Sequence, residues 1–360
     1  MEVSTVRVDG DIEFDRREHY RINRQPFHFR EANRFSNQTR WARWLAHYSD
    51  SRIDVIHCGN IRPAGYAVLW VKLRLGIPYI VYVNGGDLLR ESQKASKSAL
   101  KRRTSREILG RAAGIAATSK WVADLASDVM RDVGVAAPPP IAALALGTDP
   151  EAFTRLRDTG RLRGEWGIGT DPVIVTVARL VPHKGQDVVV RALARLIKEF
   201  PNLRYVLVGE GHDETRLREI AIELGVERNV IFAGPLSEAD LPEAYATATI
   251  YAGPSRVDNE INVEGFGISF LEASSSGLPV VAGDSGGVRS AVRDGETGLV
   301  LSPRDVDAWT ATLGDLLRDG AKRASLGRAG RAAVEEHYNW DRVARDTRDF
   351  TLSVLPGKRR

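Results

Sequence analysis

Two glutamates eight residues apart stand at the centre of residues 254–283, a stretch whose residue types could do chemistry on an anionic ligand. Glu264 is followed by Gly-Phe-Gly, and Glu272 is followed by Ser-Gly-Leu-Pro and an apolar run. Gly265 and Gly267 have no Cβ, so a ligand can approach the backbone closely at both positions. The stretch therefore combines two carboxylates with an accessible main chain.

A helix must position these two glutamates. Residues 268–275 have helical periodicity, with Ile268 and Leu271 on one face. The free N–H groups and the dipole at the start of such a helix stabilise a phosphate. Eight helical residues rise about 12 Å. Glu264 and Glu272 could therefore bracket an extended ligand whose anionic middle lies over the helix start.

A second pair of side chains offers positive charge. Arg179 and Lys184 follow a predicted buried strand, residues 173–178, and two cations at a strand end are enough to clamp a pyrophosphate. They would neutralise charge that develops on a leaving phosphate group. We therefore expect no metal ion, since these cations supply the charge and no cluster of metal-ligating residues is evident. The alternative is an ordinary surface pair.

These motifs resemble those of the retaining glycosyltransferases of family four, which have the GT-B fold: two Rossmann-like α/β domains that face a cleft. The resemblance covers about residues 53–350 and is strongest in the second half. It implies that Glu264 contacts the transferred sugar and that Glu272 holds the ribose hydroxyls of the nucleotide. Arg179 and Lys184 match the arginine and lysine of the family's R-x-x-x-x-K pattern.

The resemblance also bears on the donor. The runs RLVPHKGQD and EGFGI are most similar to those of bacterial phosphatidylinositol and related lipid mannosyltransferases, which favours GDP-mannose over a UDP-sugar. Asp258 is then the candidate contact for the guanine amino group. Glu210, between two glycines, either touches the donor or caps the next helix. The remaining donor-binding candidates are main-chain positions at a strand end and in the loop before the helix: Gly209, Gly265, Phe266, Gly267 and Ile268.

The loop after the predicted strand 79–83 departs from the family pattern. Family members usually carry a histidine there, in a His-Gly-x-Glu or Asp sequence, next to the reacting sugar. Here Asn84 takes the place of the histidine, and Asp87 keeps the carboxylate. Asn84 can donate and accept hydrogen bonds, but it cannot titrate. A plain turn is the alternative interpretation of this loop.

The amino-terminal end of the chain departs further from the family pattern. Family members begin with a strand and a glycine-rich loop that packs on the donor, and no Gly-Gly precedes residue 53. We therefore expect either that the first domain lacks this strand and loop, or that the recorded start lies downstream of the real one. Residues 6–14 predict a short hairpin or a strand edge, and residues 33–47 predict a helix. Asp9-Gly10-Asp11 is interpreted as a turn rather than a metal motif.

The length and the pattern of the chain predict two domains. Its 360 residues are 43% hydrophobic and 27% charged, as in a soluble globular protein. Strands and helices alternate from residue 53 onward, which predicts parallel sheets with right-handed crossovers. We place an acceptor domain at residues 1–150 and a nucleotide-sugar-binding domain at residues 165–335. A final helix, within residues 336–360, is predicted to cross back to the first domain.

Charge is unevenly distributed. The net charge is +4, but the first 150 residues carry +7 and the remainder −3. The most basic segment, residues 90–111, holds eight Lys or Arg against two Glu, and its helical spacing places Leu100 with Ile108 and Leu109 on an apolar side. In this family such a segment often meets lipid headgroups, and each clustered cation gains about 1 kcal/mol near an anionic leaflet. A solvated helix face is the alternative.

The predicted function is that of a retaining, metal-independent hexosyltransferase, with mannose favoured and a lipid-linked or saccharide acceptor. The sugar nucleotide is a substrate, and no cofactor is expected. The alternative is a catalytically weak nucleotide-sugar-binding or partner protein, motivated by Asn84 and the missing loop. An epimerase of similar architecture is disfavoured, because its base-recognition pattern does not go with Glu264 and Glu272.

The expected partners and location follow from charge and composition. The stretch from Lys94 to Arg106 predicts contact with an anionic membrane surface, whereas no recognised nucleic-acid-binding module is present. Cys58 is the single cysteine, which rules out an intrachain disulfide and fits a reducing compartment. No apolar run approaches the roughly 18 to 20 residues that span a bilayer. We therefore expect a cytoplasmic protein, peripheral at the inner face of the plasma membrane.

Overall fold

Two parallel β-sheets, one in each half of the chain, form the framework of the protein. The computed structural model describes residues 2–7, 15–16, 18–26, 34–48, 53–259 and 261–355. The sheets are covered by helices that follow the strands in alternation. The predicted α/β architecture is confirmed.

A two-stranded sheet and a helix precede the first main sheet, and Trp41 and Ala42 of this helix pack against Ala67. Strands β1 (Glu2–Val6) and β2 (Arg21–Gln25) pair in parallel, and helix α1 (Arg34–Tyr48) follows. The helix predicted over residues 33–47 is thus confirmed. The predicted hairpin or strand edge and its Asp9-Gly10-Asp11 turn lie almost entirely outside the described residues.

The first main sheet has four parallel strands. In spatial order they are β3 (Ile56–Cys58), β4 (Tyr79–Val83), β5 (Gly114–Ala117) and β6 (Ile141–Ala143). Their helices are α2 (Ala64–Leu75), α3 (Gly85–Lys97), α4 (Ala99–Gly110) and α5 (Lys120–Val133).

Strand β3 lies at the edge of this sheet and is only partly buried. Cys58 is buried, but Ile56 and His57 are not. Burial raises the pKa of the Cys58 thiol to about 11. Cys58 therefore acts as a small apolar core residue.

The basic segment 90–111 consists of two helices. Ser98 separates α3 from α4, and its hydroxyl accepts a 3.3 Å hydrogen bond from the N–H of Lys101. This cap starts a new helix, so the side chains of α4 do not continue the helical periodicity of α3. Leu100 is consequently 69% exposed, so its predicted place on the apolar side was wrong.

The second main sheet has six parallel strands. In spatial order they are β12 (Leu299–Leu301), β11 (Val280–Gly283), β10 (Ile250–Gly253), β7 (Val173–Val177), β8 (Arg204–Val208) and β9 (Val230–Gly234). The helices are α6 (Arg161–Glu165), α7 (Gln186–Leu196), α8 (Glu214–Glu223), α9 (Leu241–Thr247), α10 (Ile268–Ser275), α11 (Val306–Arg318), α12 (Gly320–Glu336) and α13 (Trp340–Val354).

This second sheet is buried on both faces. Val173 and Val175 of β7 pack into one apolar layer, and Ile174 between them packs into the other. Such continuous apolar strands are what a parallel sheet between two helical layers requires. The carboxyl ends of its strands are therefore held in fixed positions, and the loops that follow them carry the candidate site.

Helix α13 lies on the first half of the chain. The backbone N–H of Thr148 donates to the carbonyl of Tyr338 at 2.9 Å, and Arg342 donates to the carbonyl of Ala145 at 2.7 Å. A Cβ at Gly114 in β5 would lie 2.7 Å from the ring of Phe350. The last helix thus packs against the first main sheet.

Candidate active site

The loops after β7 and β10 pack against each other because a glycine allows it. The loop after β7 contains a short 3-10 helix, Pro182–Lys184, which ends at Gly185 with φ +70°. A Cβ on Gly185 would lie 2.1 Å from the carbonyl oxygen of Pro254, which only glycine avoids. This close approach brings Lys184 to the stretch that carries Glu264.

Lys184 and Glu264 form an ion pair. Nζ of Lys184 lies 2.5 Å from Oε2 of Glu264, and the Ser255 hydroxyl donates to the same oxygen at 3.2 Å. Burial raises the pKa of Glu264, but the Lys184 charge and the two hydrogen bonds outweigh burial, and the net pKa is lowered. The carboxylate is therefore ionised at neutral pH.

His183, which was not predicted as a site residue, lies within electrostatic range of four residues that were. Its pKa is lowered, first by burial and then by the charges of Lys184 and Arg179, while Glu264 and Asp258 oppose the shift. The imidazole is therefore neutral at pH 7. Its position next to Lys184 in the sequence was the signal that could have identified it.

Arg179 is exposed, and its guanidinium has no side-chain partner among the described residues. Its carbonyl accepts a 3.0 Å hydrogen bond from the Gln186 side chain, which holds the main chain at the start of the loop. A free guanidinium at a strand end is available to an anionic ligand.

The loop that carries Asp258 is anchored by a second ion pair. Arg256 and Asp187 are mostly buried and lie 2.9 Å apart. Asp258 then pairs with Asn262 through both backbone groups, and the Asn259 side chain donates to its carboxylate at 3.2 Å. The loop thus presents Asp258 from a fixed base.

Glu272 lies on helix α10, whose bounds match the prediction. The hydroxyl of Tyr245 donates to Oε2 of Glu272 at 2.6 Å. Burial raises the pKa of Glu272, and the hydrogen bond from Tyr245 partly opposes this. Ile268, the first residue of the helix, is 36% exposed, whereas Leu271 is buried.

The Gly-Phe-Gly run, residues 265–267, offers a ligand its backbone rather than its side chains. Phe266 is buried, and its ring lies 6.5 Å from that of Tyr338. A ligand contact by Phe266 is therefore restricted to its backbone. Gly267 precedes α10 with φ +94°, a left-handed conformation that favours glycine.

Gly209 and Glu210 follow β8 and pack on the loop after β7. A Cβ on Gly209 would lie 2.2 Å from the carbonyl oxygen of Ala178, and the Glu210 carbonyl accepts a 2.9 Å hydrogen bond from Leu180. Asp213 is the residue that precedes α8, so the helix-cap alternative for Glu210 was wrong. The Glu210 side chain is exposed.

Asn84 directly precedes helix α3, and Asp87 lies in its first turn. The Asn84 carbonyl accepts from the N–H groups of Asp87 and Leu88, and its side chain is exposed. Asp87 pairs with Arg90 at 2.7 Å. A Cβ on the intervening Gly85 would lie 3.6 Å from Cα of Gly265, so this turn lies against the glycine loop of the second half.

The arrangement suits a ligand with a diphosphate and several hydroxyl groups. It offers cations, the free N–H groups at the start of α10 and two carboxylates on the same stretch of chain. Across residues 53–259 and 261–355, and the shorter described pieces before them, no group of three His, Cys, Asp or Glu side chains is placed to hold a metal ion.

Comparison with known proteins identifies both halves of the chain. Residues 158–333 match the profile of the group 1 glycosyl transferases, and residues 2–139 match that of glycosyltransferase family 4. The predicted family resemblance is confirmed. The second match also begins well before residue 53, so the resemblance extends further toward the amino terminus than the motifs indicated.

Curated relatives have related names. A GDP-mannose-dependent alpha-(1-6)-phosphatidylinositol monomannoside mannosyltransferase of Mycolicibacterium smegmatis is 40% identical over 224 residues, covering 62% of this chain and 56% of the relative. A D-inositol 3-phosphate glycosyltransferase of Stackebrandtia nassauensis is 32% identical over 305 residues, covering 81% and 66%. The chain spans about half the length of the mannosyltransferases it matches.

Solved structures show the same fold. Anabaena HepE in complex with UDP-glucose has a TM-score of 0.77 at 20% identity, covering 98% of this chain and 91% of HepE. A glycosyltransferase from Rickettsia africae has a TM-score of 0.78 at 17% identity, covering 99% and 90%. Both likenesses support the two-domain GT-B architecture. None of the helices in the described part of the chain has the length and apolar character that crossing a membrane requires.

Proposed function

Because the chain belongs to the glycosyltransferases with the GT-B fold, we propose that it is a retaining enzyme that transfers a hexose, with mannose favoured, from a nucleoside diphosphate sugar to a lipid-linked or saccharide acceptor. The observation that carries this proposal is the meeting of Lys184 and Glu264 beside the helix that bears Glu272. A cation for the diphosphate and carboxylates for the sugar and ribose are thereby gathered in one place.

The donor would bind along this stretch. Arg179 and Lys184 pair with the diphosphate, whose oxygens also accept hydrogen bonds from the free N–H groups at the start of α10. Glu272 accepts hydrogen bonds from the ribose hydroxyls, and Glu264 accepts them from the sugar. Lys184 must exchange its partner, Glu264, for the diphosphate when the donor arrives.

In the transfer step, the bond between the sugar C1 and the phosphate oxygen breaks, and a bond between C1 and the acceptor oxygen forms on the same face of the sugar. The acceptor proton passes to the leaving phosphate oxygen. Arg179 and Lys184 neutralise the charge that develops on that phosphate, which lowers the barrier. These protein cations supply the charge without a metal ion or a cofactor.

GDP-mannose is the favoured donor. The names of the mannosyltransferase relatives support this choice. Asp258 lies at a fixed position within electrostatic range of His183, where its carboxylate could accept a hydrogen bond from the guanine amino group. A UDP-sugar is the competing donor, since HepE binds UDP-glucose with the same fold.

The acceptor side would lie on the first half of the chain, close to a membrane surface. Helix α4 carries Lys101 and Arg103 next to the exposed side chain of Leu100. An exposed apolar residue among cations suits an anionic lipid surface, where the charges bind headgroups and the leucine enters the acyl boundary. The proposed location is therefore cytoplasmic and peripheral to the membrane.

A turnover assay tests the proposed function. The full chain is incubated with GDP-mannose or UDP-glucose, with and without phosphatidylinositol-type acceptors, and the release of nucleoside diphosphate is measured together with the anomeric configuration of the product. We expect transfer from GDP-mannose with retention of configuration. Inversion, or release from UDP-glucose alone, would contradict the mechanism or the donor, respectively.

One observation favours a second candidate, a catalytically weak nucleotide-sugar-binding protein. Asn84 stands where the family has a histidine, and its exposed side chain has no titratable group. Such a protein would bind GDP-mannose without releasing GDP. Calorimetric binding with no turnover in the same assay would support this second candidate.

A further inference from the structure

Tyr245 lies behind the helix that carries Glu272. Its side chain is fully buried, and its hydroxyl donates a 2.6 Å hydrogen bond to Oε2 of Glu272. We propose that Tyr245 is a positioning residue, which holds one oxygen of Glu272 so that the other is available to the ribose of the donor. This inference rests on the proposed function, in which Glu272 binds the ribose.

The ring of Tyr245 is held in place on two sides. Phe153 meets it edge-on at 5.7 Å between ring centroids, and Tyr251 lies 5.8 Å away in a tilted arrangement. A buried ring in such a cluster cannot change rotamer without displacing its neighbours. The hydroxyl of Tyr245 is therefore a fixed donor, and Glu272 does not have to be ordered when the nucleotide binds.

The same support reaches the segment that joins the two halves. The carbonyl of Phe153 accepts hydrogen bonds from the hydroxyl of Ser275 and from Arg331, each at 2.8 Å. Ser275 is the last residue of the helix that bears Glu272. Tyr245 is thus clamped between this helix and the linker, as a positioning role requires.

Tyr245 is also the group that favours the charged form of Glu272. Burial raises the pKa of Glu272, and the bond from Tyr245 opposes that rise. Among the described residues, no lysine, arginine or histidine lies within ion-pair distance of its carboxylate. The titratable groups on the elements around it are engaged elsewhere: Tyr251 with Ser269, Glu264 with Lys184, Glu243 with Arg161, and Arg331 with the Ser275 carbonyl.

The test is the binding of GDP to the full chain between pH 5 and pH 8, measured by calorimetry. Wild-type affinity should fall as the pH falls through the raised pKa of Glu272, because the protonated carboxyl no longer accepts from both ribose hydroxyls. In Tyr245→Phe this fall should begin at a higher pH. At pH 6 the dissociation constant should rise about tenfold, as for one hydrogen bond to a charged group, and in turnover KM should rise while kcat stays unchanged.

Two further variants serve as controls. Tyr251→Phe removes the hydroxyl of an equally buried tyrosine in the same cluster, whose bond goes to a serine. It should therefore keep the wild-type pH profile. Glu272→Gln should lose the part of the pH dependence that comes from the Glu272 carboxylate. The pH dependence that remains then comes from the nucleotide phosphate and from His183. In that background, adding Tyr245→Phe should have no further effect on GDP binding.

The possible results distinguish a failure of the Tyr245 positioning role from a failure of the proposed donor site. If Tyr245→Phe has the wild-type profile, or weakens GDP binding equally in the Glu272→Gln background, the positioning role is overturned and the donor site stands. If Glu272→Gln binds GDP as the wild type does, the ribose assignment is wrong and the inference falls with it. If the wild type does not bind GDP, the proposed donor itself is wrong.

Discussion

Nζ of Lys184 lies 2.5 Å from Oε2 of Glu264, although the two residues are 80 positions apart in the chain. The cation proposed to bind the diphosphate is thus paired with the carboxylate proposed to bind the sugar. Arg179, in contrast, has no side-chain partner among the residues that the structure describes. The first charge available to an arriving diphosphate is therefore that of Arg179.

This difference predicts unequal effects of the two alanine substitutions. Arg179→Ala should weaken GDP binding by about 1.5–3 kcal/mol, the scale of a hydrogen bond to a charged group. Lys184→Ala should weaken it less, because the wild-type lysine gives up an internal ion pair on binding. Calorimetry at pH 7 measures both. Arg218→Ala, an exposed arginine bonded to Glu214, is the control that should bind as the wild type. Equal losses of GDP affinity in Arg179→Ala and Lys184→Ala would contradict this prediction.

The same pair predicts opposite effects of Glu264→Gln on binding and turnover. The substitution removes the charge that pairs with Lys184, so GDP should bind more tightly, by about 1.5–3 kcal/mol at most, the scale of a hydrogen bond to a charged group. Release of GDP from GDP-mannose should nevertheless fall on the order of a hundredfold, since the contact with the reacting sugar is lost. Glu214→Gln, on the surface of α8, is the matched control for both measurements. Weaker GDP binding in Glu264→Gln would show that Glu264 contacts the nucleotide itself.

Local sequence patterns predicted the elements that depend on local interactions. The bounds of β4 and α10 match the predictions, because a strand-forming run and a glycine mark their ends. Motif spacing likewise pointed to Glu264, Glu272, Arg179 and Lys184 as one site. The ion pair within it was not predicted, because it depends on how two loops after separate strands pack around Gly185.

The errors have similar causes. Leu100 was placed on a buried face because one continuous helix was assumed, whereas Ser98 starts a new one. Tyr245 was missed because a tyrosine in an apolar helix is typical of a core residue, and its partner Glu272 lies 27 positions further on. The hydrophobic periodicity of one element does not show which distant element it contacts.

Acid should destabilise the protein partly through Glu264. Its pKa in the folded protein lies below its ordinary value of 4.5, because its partners outweigh burial. The stabilisation is therefore fully present above that value and is lost as the pH falls through the lowered pKa. The free energy of unfolding, from urea titrations between about pH 5 and pH 3, should fall less steeply in Glu264→Gln than in the wild type. Glu214→Gln should keep the wild-type slope, and equal slopes in all three would contradict this account.

Binding to lipid should depend on the exposed face of α3 and α4. Arg103 and Lys97 are exposed cations near Leu100, and each should contribute about 1 kcal/mol at an anionic surface. Co-sedimentation with phosphatidylglycerol vesicles should fall for Lys97→Glu and Arg103→Glu, and it should fade with salt because exposed charges are screened within about 8–10 Å. Lys198→Glu, an exposed lysine of the second half, should not change it. Equal binding to neutral vesicles would contradict an electrostatic contact.

The last prediction concerns the contact between the two halves of the chain. A Cβ on Gly85 would lie 2.6 Å from the ring of Trp121 and 3.6 Å from Cα of Gly265. Because the clash is with the Trp121 ring, Gly85→Ala should displace that ring or the first turn of α3, which lies against the glycine loop. The second half alone holds the proposed diphosphate and ribose contacts, so the affinity for GDP should stay at the wild-type value.

Turnover of GDP-mannose in Gly85→Ala should nevertheless fall by up to about a hundredfold, because a displacement of roughly 1 Å between reacting groups is enough for that loss. The control is Gly59→Ala in the same half, where a Cβ meets no atom within 4 Å. It should retain both GDP affinity and turnover. Unchanged turnover in Gly85→Ala would mean that transfer does not require the close approach of Gly85 and Gly265. A parallel loss of GDP affinity would instead place the first half in the nucleotide site.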